Sequence, residues 1–155
     1  MEMPNRSGAF QKREKGQSLL ELAISMVLLL LILGGIFDLG RAIFTLMALQ
    51  DAAEEGVVYG VVFPNNCDAI VNRVRYNLSG QVQPENTSVT IYIKNSGGAF
   101  VNCYAISPAD VVAGRAMLIE VSQNFQITMP FLGTVIGQTI PLKATANGVL
   151  LRPKP

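Results

Sequence analysis

The chain has 155 residues, with Lys+Arg 12 against Asp+Glu 11 and a formal net charge of +1. A balance so even offers no field to draw in nucleic acid or acidic substrates. There is no His and no Trp, which removes His-dependent catalytic triads and the commonest imidazole metal ligands.

In chain order, Met1–Lys15 is polar, with Arg6, Lys12, Arg13 and Lys15 against Glu2 and Glu14. It reads as a disordered leader, and basic residues beside the first apolar segment favour the cytoplasmic side. Next comes Lys15-Gly16-Gln17-Ser18-Leu19-Leu20-Glu21-Leu22, and then an uncharged run from Leu22 to Phe37. With Leu19, Leu20, Leu39 and Gly40 the apolar stretch reaches the ~20 residues that a membrane span needs. Glu21 and Asp38 then lie near its two edges. A carboxylate inside such a helix costs about 2.5–3.5 kcal/mol at mid-membrane and less towards the edge. It persists where it has a partner or a task, or where it snorkels to the headgroups. A cleaved secretory signal would need a shorter apolar core and an Ala-x-Ala-like site, which Phe37-Asp38-Leu39-Gly40-Arg41 does not offer.

Helical spacing continues beyond the span through Ile43, Phe44, Leu46, Met47, Leu49, Ala52, Ala53, Val57 and Val58. One helix from Gln17 to Tyr59 would be about 64 Å long, too long for a bilayer alone, so its outer half must pack on a domain or on neighbours. Asp38 and Arg41, three apart, can pair on one helical face at the outer boundary. Gly34-Gly35 and Gly56 to Gly60 allow close helix approach, although Gly60 also suits a helix end. Phe63-Pro64-Asn65-Asn66 is a turn, and Asp68 suits the cap of a second helix with Ile70, Val71, Val74 and Leu78 on one face. Pro84-Glu85-Asn86 is loop. Ser88–Lys94 alternates as a strand and turns through Asn95-Ser96-Gly97-Gly98 into a second strand, Ala99–Ala105. Met117–Ile127 is a third strand, Pro130–Gly137 a loop, and Ile140–Leu150 a fourth strand. The fold class is therefore α+β: a long N-terminal transmembrane helix, a second helix and an antiparallel sheet of about four strands.

The basic leader, Gly16, Gln17-Ser18-Leu19-Leu20-Glu21 and the apolar run resemble a class III, type IV pilin-like leader. The continuation Gly34-Gly35-Ile36-Phe37-Asp38-Leu39-Gly40-Arg41-Ala42, followed by Ala52-Ala53-Glu54-Glu55-Gly56, resembles the TadE-like minor pilins, or pseudopilins, of tight-adherence (Tad) pilus systems. The resemblance covers roughly the first sixty residues. Leu22 stands where that family usually has an aromatic, and Glu54 where Arg is common. The resemblance implies that a prepilin peptidase cuts between Gly16 and Gln17, and that Glu21 becomes the fifth residue of the mature chain. Asp38, Gly40 and Arg41 match the family's helix-boundary motif. It also implies a sheet packed on the outer half of the helix, and as partners other pilin or pseudopilin subunits and assembly platform proteins, which supply force and ATP.

Little else carries chemistry. Cys67 and Cys103 are the only cysteines. On the oxidising side they favour one disulfide, with two free thiols as the alternative. Two Cys without His give too few ligands for a metal site. Asn77-Leu78-Ser79 and Asn86-Thr87-Ser88 fit glycosylation sequons, which are common by chance. Asp110 and Glu120 have no visible partner base. The expectation is a non-enzymatic assembly subunit without cofactor, metal, nucleic acid or small-molecule substrate. It comprises a cytoplasmic leader (1–16), a transmembrane and extended helix (17–60) and an extracytoplasmic α+β domain (61–155). An uncleaved, single-span anchored binding domain is the alternative, and an extracytoplasmic enzyme a more distant one.

Overall fold

A computed structural model describes residues 7–78, 82, 86–129, 133–134 and 137–151, with side chains from residue 16 onward. Residues 1–6 of the leader, Pro84 and Glu85, residues 130–132 and Ser79 of the first sequon, about which the sequence made expectations, lie outside that set. The chain divides into two compact units, Met1–Leu39 and Gly40–Pro155.

The first helix, α1, spans Ser7–Gly60. It starts earlier than the sequence suggested, because the leader is helical from Ser7 rather than irregular. The local reason is composition: no Pro lies between Pro4 and Pro64, and Gln11 to Lys15 are all good helix formers. In the first unit, fourteen large apolar side chains from Leu19 to Leu39 are each more than half exposed. Among the described residues this is the one helix long and apolar enough to cross a membrane. Water would not tolerate such a surface, which exceeds the patches that soluble monomers expose.

The second unit is built on a different pattern. Ala48, Leu49, Ala52, Ala53 and Val57 are buried, and their spacing of three and four places them on one helical face. The second helix, α2, spans Cys67–Leu78 and buries Ile70, Val74 and Leu78. Its cap is Asn66 rather than Asp68: the Asn66 Oδ1 accepts the Ala69 N–H at 3.1 Å, the bond that satisfies an orphan donor of the first turn. Asp68, one residue inside, instead favours the positive end of the helix dipole.

The sheet has four antiparallel strands, β1 (Thr87–Lys94), β2 (Phe100–Asn102), β3 (Ala116–Gln126) and β4 (Thr139–Val149), in the order β2-β1-β3-β4. Register aligns Ile93 with Met117 and Gly148, Ile91 with Ile119 and Ala146, and Val89 with Val121 and Ala144. These rows form one face, and together with Leu49, Val57, Ile70 and Val74 they make one apolar core. β2 is shorter than the Ala99–Ala105 expected. The Asn102 Oδ1 accepts the Tyr104 N–H at 3.0 Å, which folds the chain into a turn as soon as pairing with β1 ends.

Glycines set how closely these layers approach. A Cβ on Gly56 would lie 2.5 Å from Val74 Cγ2, and one on Gly60 would lie 2.6 Å from the Met117 sulfur. The Gly-x-x-x-Gly spacing therefore lets α2 and β3 close onto the end of α1. Gly60 is also the last residue of the helix.

Candidate functional site

The leader end of the candidate site is a plain helix. Gly16 lies within α1, with nothing within 4 Å of where its Cβ would be, and Gln17 and Glu21 are exposed. Gly in a helix interior costs about 1 kcal/mol relative to Ala, and Gly16 is the second Gly of α1, after Gly8. Glu21 lies five residues on, with Leu20 and Leu22 exposed beside it.

The boundary motif divides in its behaviour. Asp38 is only 7% exposed, an uncommon state for a carboxylate. Gly40 is exposed, and a Cβ there would meet nothing within 4 Å. Arg41 Nη1 donates to Thr128 Oγ1, and the guanidinium lies 5.2 Å from the centre of the Phe125 ring, within cation–π reach. One turn on, the Thr45 hydroxyl donates to the Arg41 carbonyl at 2.9 Å.

The remaining sequence candidates are the cysteines. Cys67 and Cys103 form a disulfide that joins the start of α2 to the residue after β2. Beside it, the Tyr104 hydroxyl donates to Asp68 Oδ1 at 2.7 Å. That hydrogen bond raises the Tyr104 pKa above its usual value, since ionisation would destroy the donor. In the loop before β3, Asp110 accepts the Ser96 N–H at 2.9 Å. This bond holds the Asp110 carboxyl below its ordinary value. Among the described residues no group of three or more His, Cys, Asp or Glu converges as a metal site would.

The sequence did not point to a groove in the second unit of about 500 Å³, lined among others by Arg41, Thr45, Asn86, Gln123, Phe125 and Thr139. The signal for it was a polar residue out of place. Gln123 falls in register on the core-facing side of β3, two residues from Val121. Its Oε1 is buried and accepts no hydrogen bond among the described residues.

Against this geometry, the profile of the family described as TadE-like protein matches residues 16–57. The chain carries a TadE-like segment. This is consistent with a TadE-like protein of a Tad pilus. The TadE-like segment opens on Gly16, includes Glu21, Asp38 and Arg41, and ends one residue beyond Gly56 in the buried stripe of α1. It covers less than half of the chain, and β1 to β4 lie outside it. No curated protein and no solved structure matches the chain.

Proposed function

We propose that the chain is a minor pilin or pseudopilin of a Tad-type adhesion pilus, cut between Gly16 and Gln17 by a prepilin peptidase. The observation that supports this most is where the family match starts: at residue 16, beside the expected cleavage bond, with Glu21 inside it. In this reading the N-terminus faces the cytoplasm, residues 17–60 anchor the protein, and residues 61–155 form the extracytoplasmic domain. Glu21 meets the N-terminal amine that cleavage exposes, its own or a neighbour's. In lipid the pairing offsets the desolvation of both charges and so fixes the register in which subunits stack. The apolar side chains between Leu19 and Leu39 supply adhesion to other pilin helices, and assembly platform proteins supply the work.

The test is the mature N-terminus of the membrane-extracted protein, read by intact mass and N-terminal peptide mapping. A chain beginning at Gln17 supports the proposal. The continuity of α1 across the Gly16–Gln17 bond favours a second reading, an uncleaved, single-span anchored binding domain, and a chain retaining Met1–Gly16 would select it. For Glu21 the measurement is pilus assembly: Glu21→Ala is expected to leave membrane insertion intact and to reduce assembly at least tenfold. Unchanged assembly would remove the carboxylate from the mechanism.

A further inference from the structure

Within the second unit, the outer part of α1 has two faces. One buries Leu49, Ala52, Ala53 and Val57. On the opposite face Phe44, Met47, Asp51, Glu54 and Val58 follow one another at alternating steps of three and four residues, the spacing of a coiled-coil seam. All five are exposed, and Phe44, Met47 and Val58 stand 61%, 61% and 64% open. Ile43 and Leu46 beside them are exposed as well. A contiguous apolar patch of this kind marks an interaction surface. Two carboxylates in the line exclude lipid tails as its cover. The next acid, Glu55, is already taken, since Arg73 Nε on α2 donates to its Oε1 at 2.8 Å. Among the described residues Asp51 and Glu54 form no ion pair, and Glu54 accepts only from Gln50 Nε2, at 2.8 Å.

We propose that this line of side chains is the docking seam for a helix of a different chain, one that sets Lys or Arg against Asp51 and Glu54 and apolar side chains against Phe44, Met47 and Val58. A second copy does not fit. The stretch Phe44–Val58 contains no Lys or Arg, so no register of the seam on itself makes an ion pair. Copies aligned in parallel set Asp51 against Asp51 and Glu54 against Glu54, which is repulsive. Copies displaced by one heptad, about 10 Å, set Asp51 against Phe44 or Val58 and leave it desolvated without a partner. The two acids therefore act twice, attracting a cationic helix and keeping identical chains apart. The parallel alignment rests on the membrane-anchored reading given above, in which all such helices rise from one bilayer; the spacing and charge of the seam do not.

The experiment reconstitutes the full chain in phosphatidylcholine vesicles, with flotation scoring insertion, and places a thiol on the seam as Met47→Cys. A bismaleimide then joins facing thiols and leaves the Cys67–Cys103 disulfide intact. The probe for the partner is the same chain carrying Asp51→Lys and Glu54→Lys, a seam of the same spacing and opposite charge. Mixing the two forms should give at least about ten times the cross-linked product of either form alone, and added salt should shrink that preference. Both acids are exposed, so the reversed chain should melt as the wild type does. If it does not fold, the neutral pair Asp51→Asn and Glu54→Gln replaces it, and should cross-link to itself more than the wild type does. Wild type that links to itself as readily as to the reversed or neutral chain overturns the proposal in favour of a second copy. No cross-linking in any mixture overturns the seam. Failure to float sinks the anchored reading instead, and the same comparison in detergent micelles still decides the seam.

Discussion

Leu28 and Leu49 belong to the same helix and have opposite surroundings. Leu28 is 59% exposed and Leu49 is fully buried. The segment around Leu28 is apolar on every side, so its composition selects a solvent but no particular neighbour. Around Leu49 the apolar residues are confined to a stripe, Ala48, Leu49, Ala52, Ala53 and Val57, interrupted by Gln50, Asp51, Glu54 and Glu55. There spacing rather than composition decides, and it selects a specific sheet and a specific helix. One helix can therefore follow two rules because its polar residues are unevenly distributed along it.

The sharpest way to separate the regions is to cut the cross-link that only one of them has. Replacing Cys67 and Cys103 together by Ser releases a loop with a sequence separation of 36. The expected loss is about 4 kcal/mol on the chain-entropy account. Urea unfolding in micelles should show it in the near-ultraviolet signal of the outer unit, with the helical signal of the apolar segment unchanged. Next in size is one deletion made twice. Leu49→Ala is expected to cost about 3 kcal/mol, whereas Leu28→Ala should shift unfolding of the outer unit by less than about 0.5 kcal/mol. Similar losses would end the distinction between the two rules.

A glycine pair gives a smaller effect and a change of sign. Gly56→Ala forces a Cβ to within 2.5 Å of Val74 and should destabilise by about 2 kcal/mol. Gly40→Ala meets nothing within 4 Å and should stabilise by up to about 1 kcal/mol through helix propensity. Thermal melts of the two variants decide this. The smallest effect is at the surface. Tyr104 is 64% exposed, and Tyr104→Phe should cost less than about 1 kcal/mol at neutral pH. The Tyr104 pKa is raised in the fold, so the bond's contribution is fully present below the unfolded value and is lost as pH rises through the folded one. Wild type and variant should therefore converge in strongly alkaline solution.

Much of this arrangement could be read from the sequence wherever one signal dominated. Alternation over Ser88–Lys94 and Met117–Ile127 located β1 and β3 to within a residue, because a sheet covered on one face imposes a period of two. Spacing gave α2 its buried Ile70, Val74 and Leu78. The misses occur where short-range chemistry competes. Asn66 rather than Asp68 caps α2, both being good cap residues and only two positions apart. The Asn102 side chain ends β2 before alternation alone would. The groove was harder, because Arg41 and Thr128 are separated by 87 positions and no local pattern joins them. Only Gln123, polar where the strand's inner register called for an apolar residue, hinted at it.

The disulfide has a mechanical consequence. If the chain is pulled from its two ends, the segment between Cys67 and Cys103, which holds α2 and β1 and the whole of β2, is bypassed by the cross-link. Roughly 120 Å of extensible chain would then stay folded out of the load path. Tension would pass through α1, across the cross-link and into β3 and β4, and the cross-linked segment would add no length while the disulfide is intact.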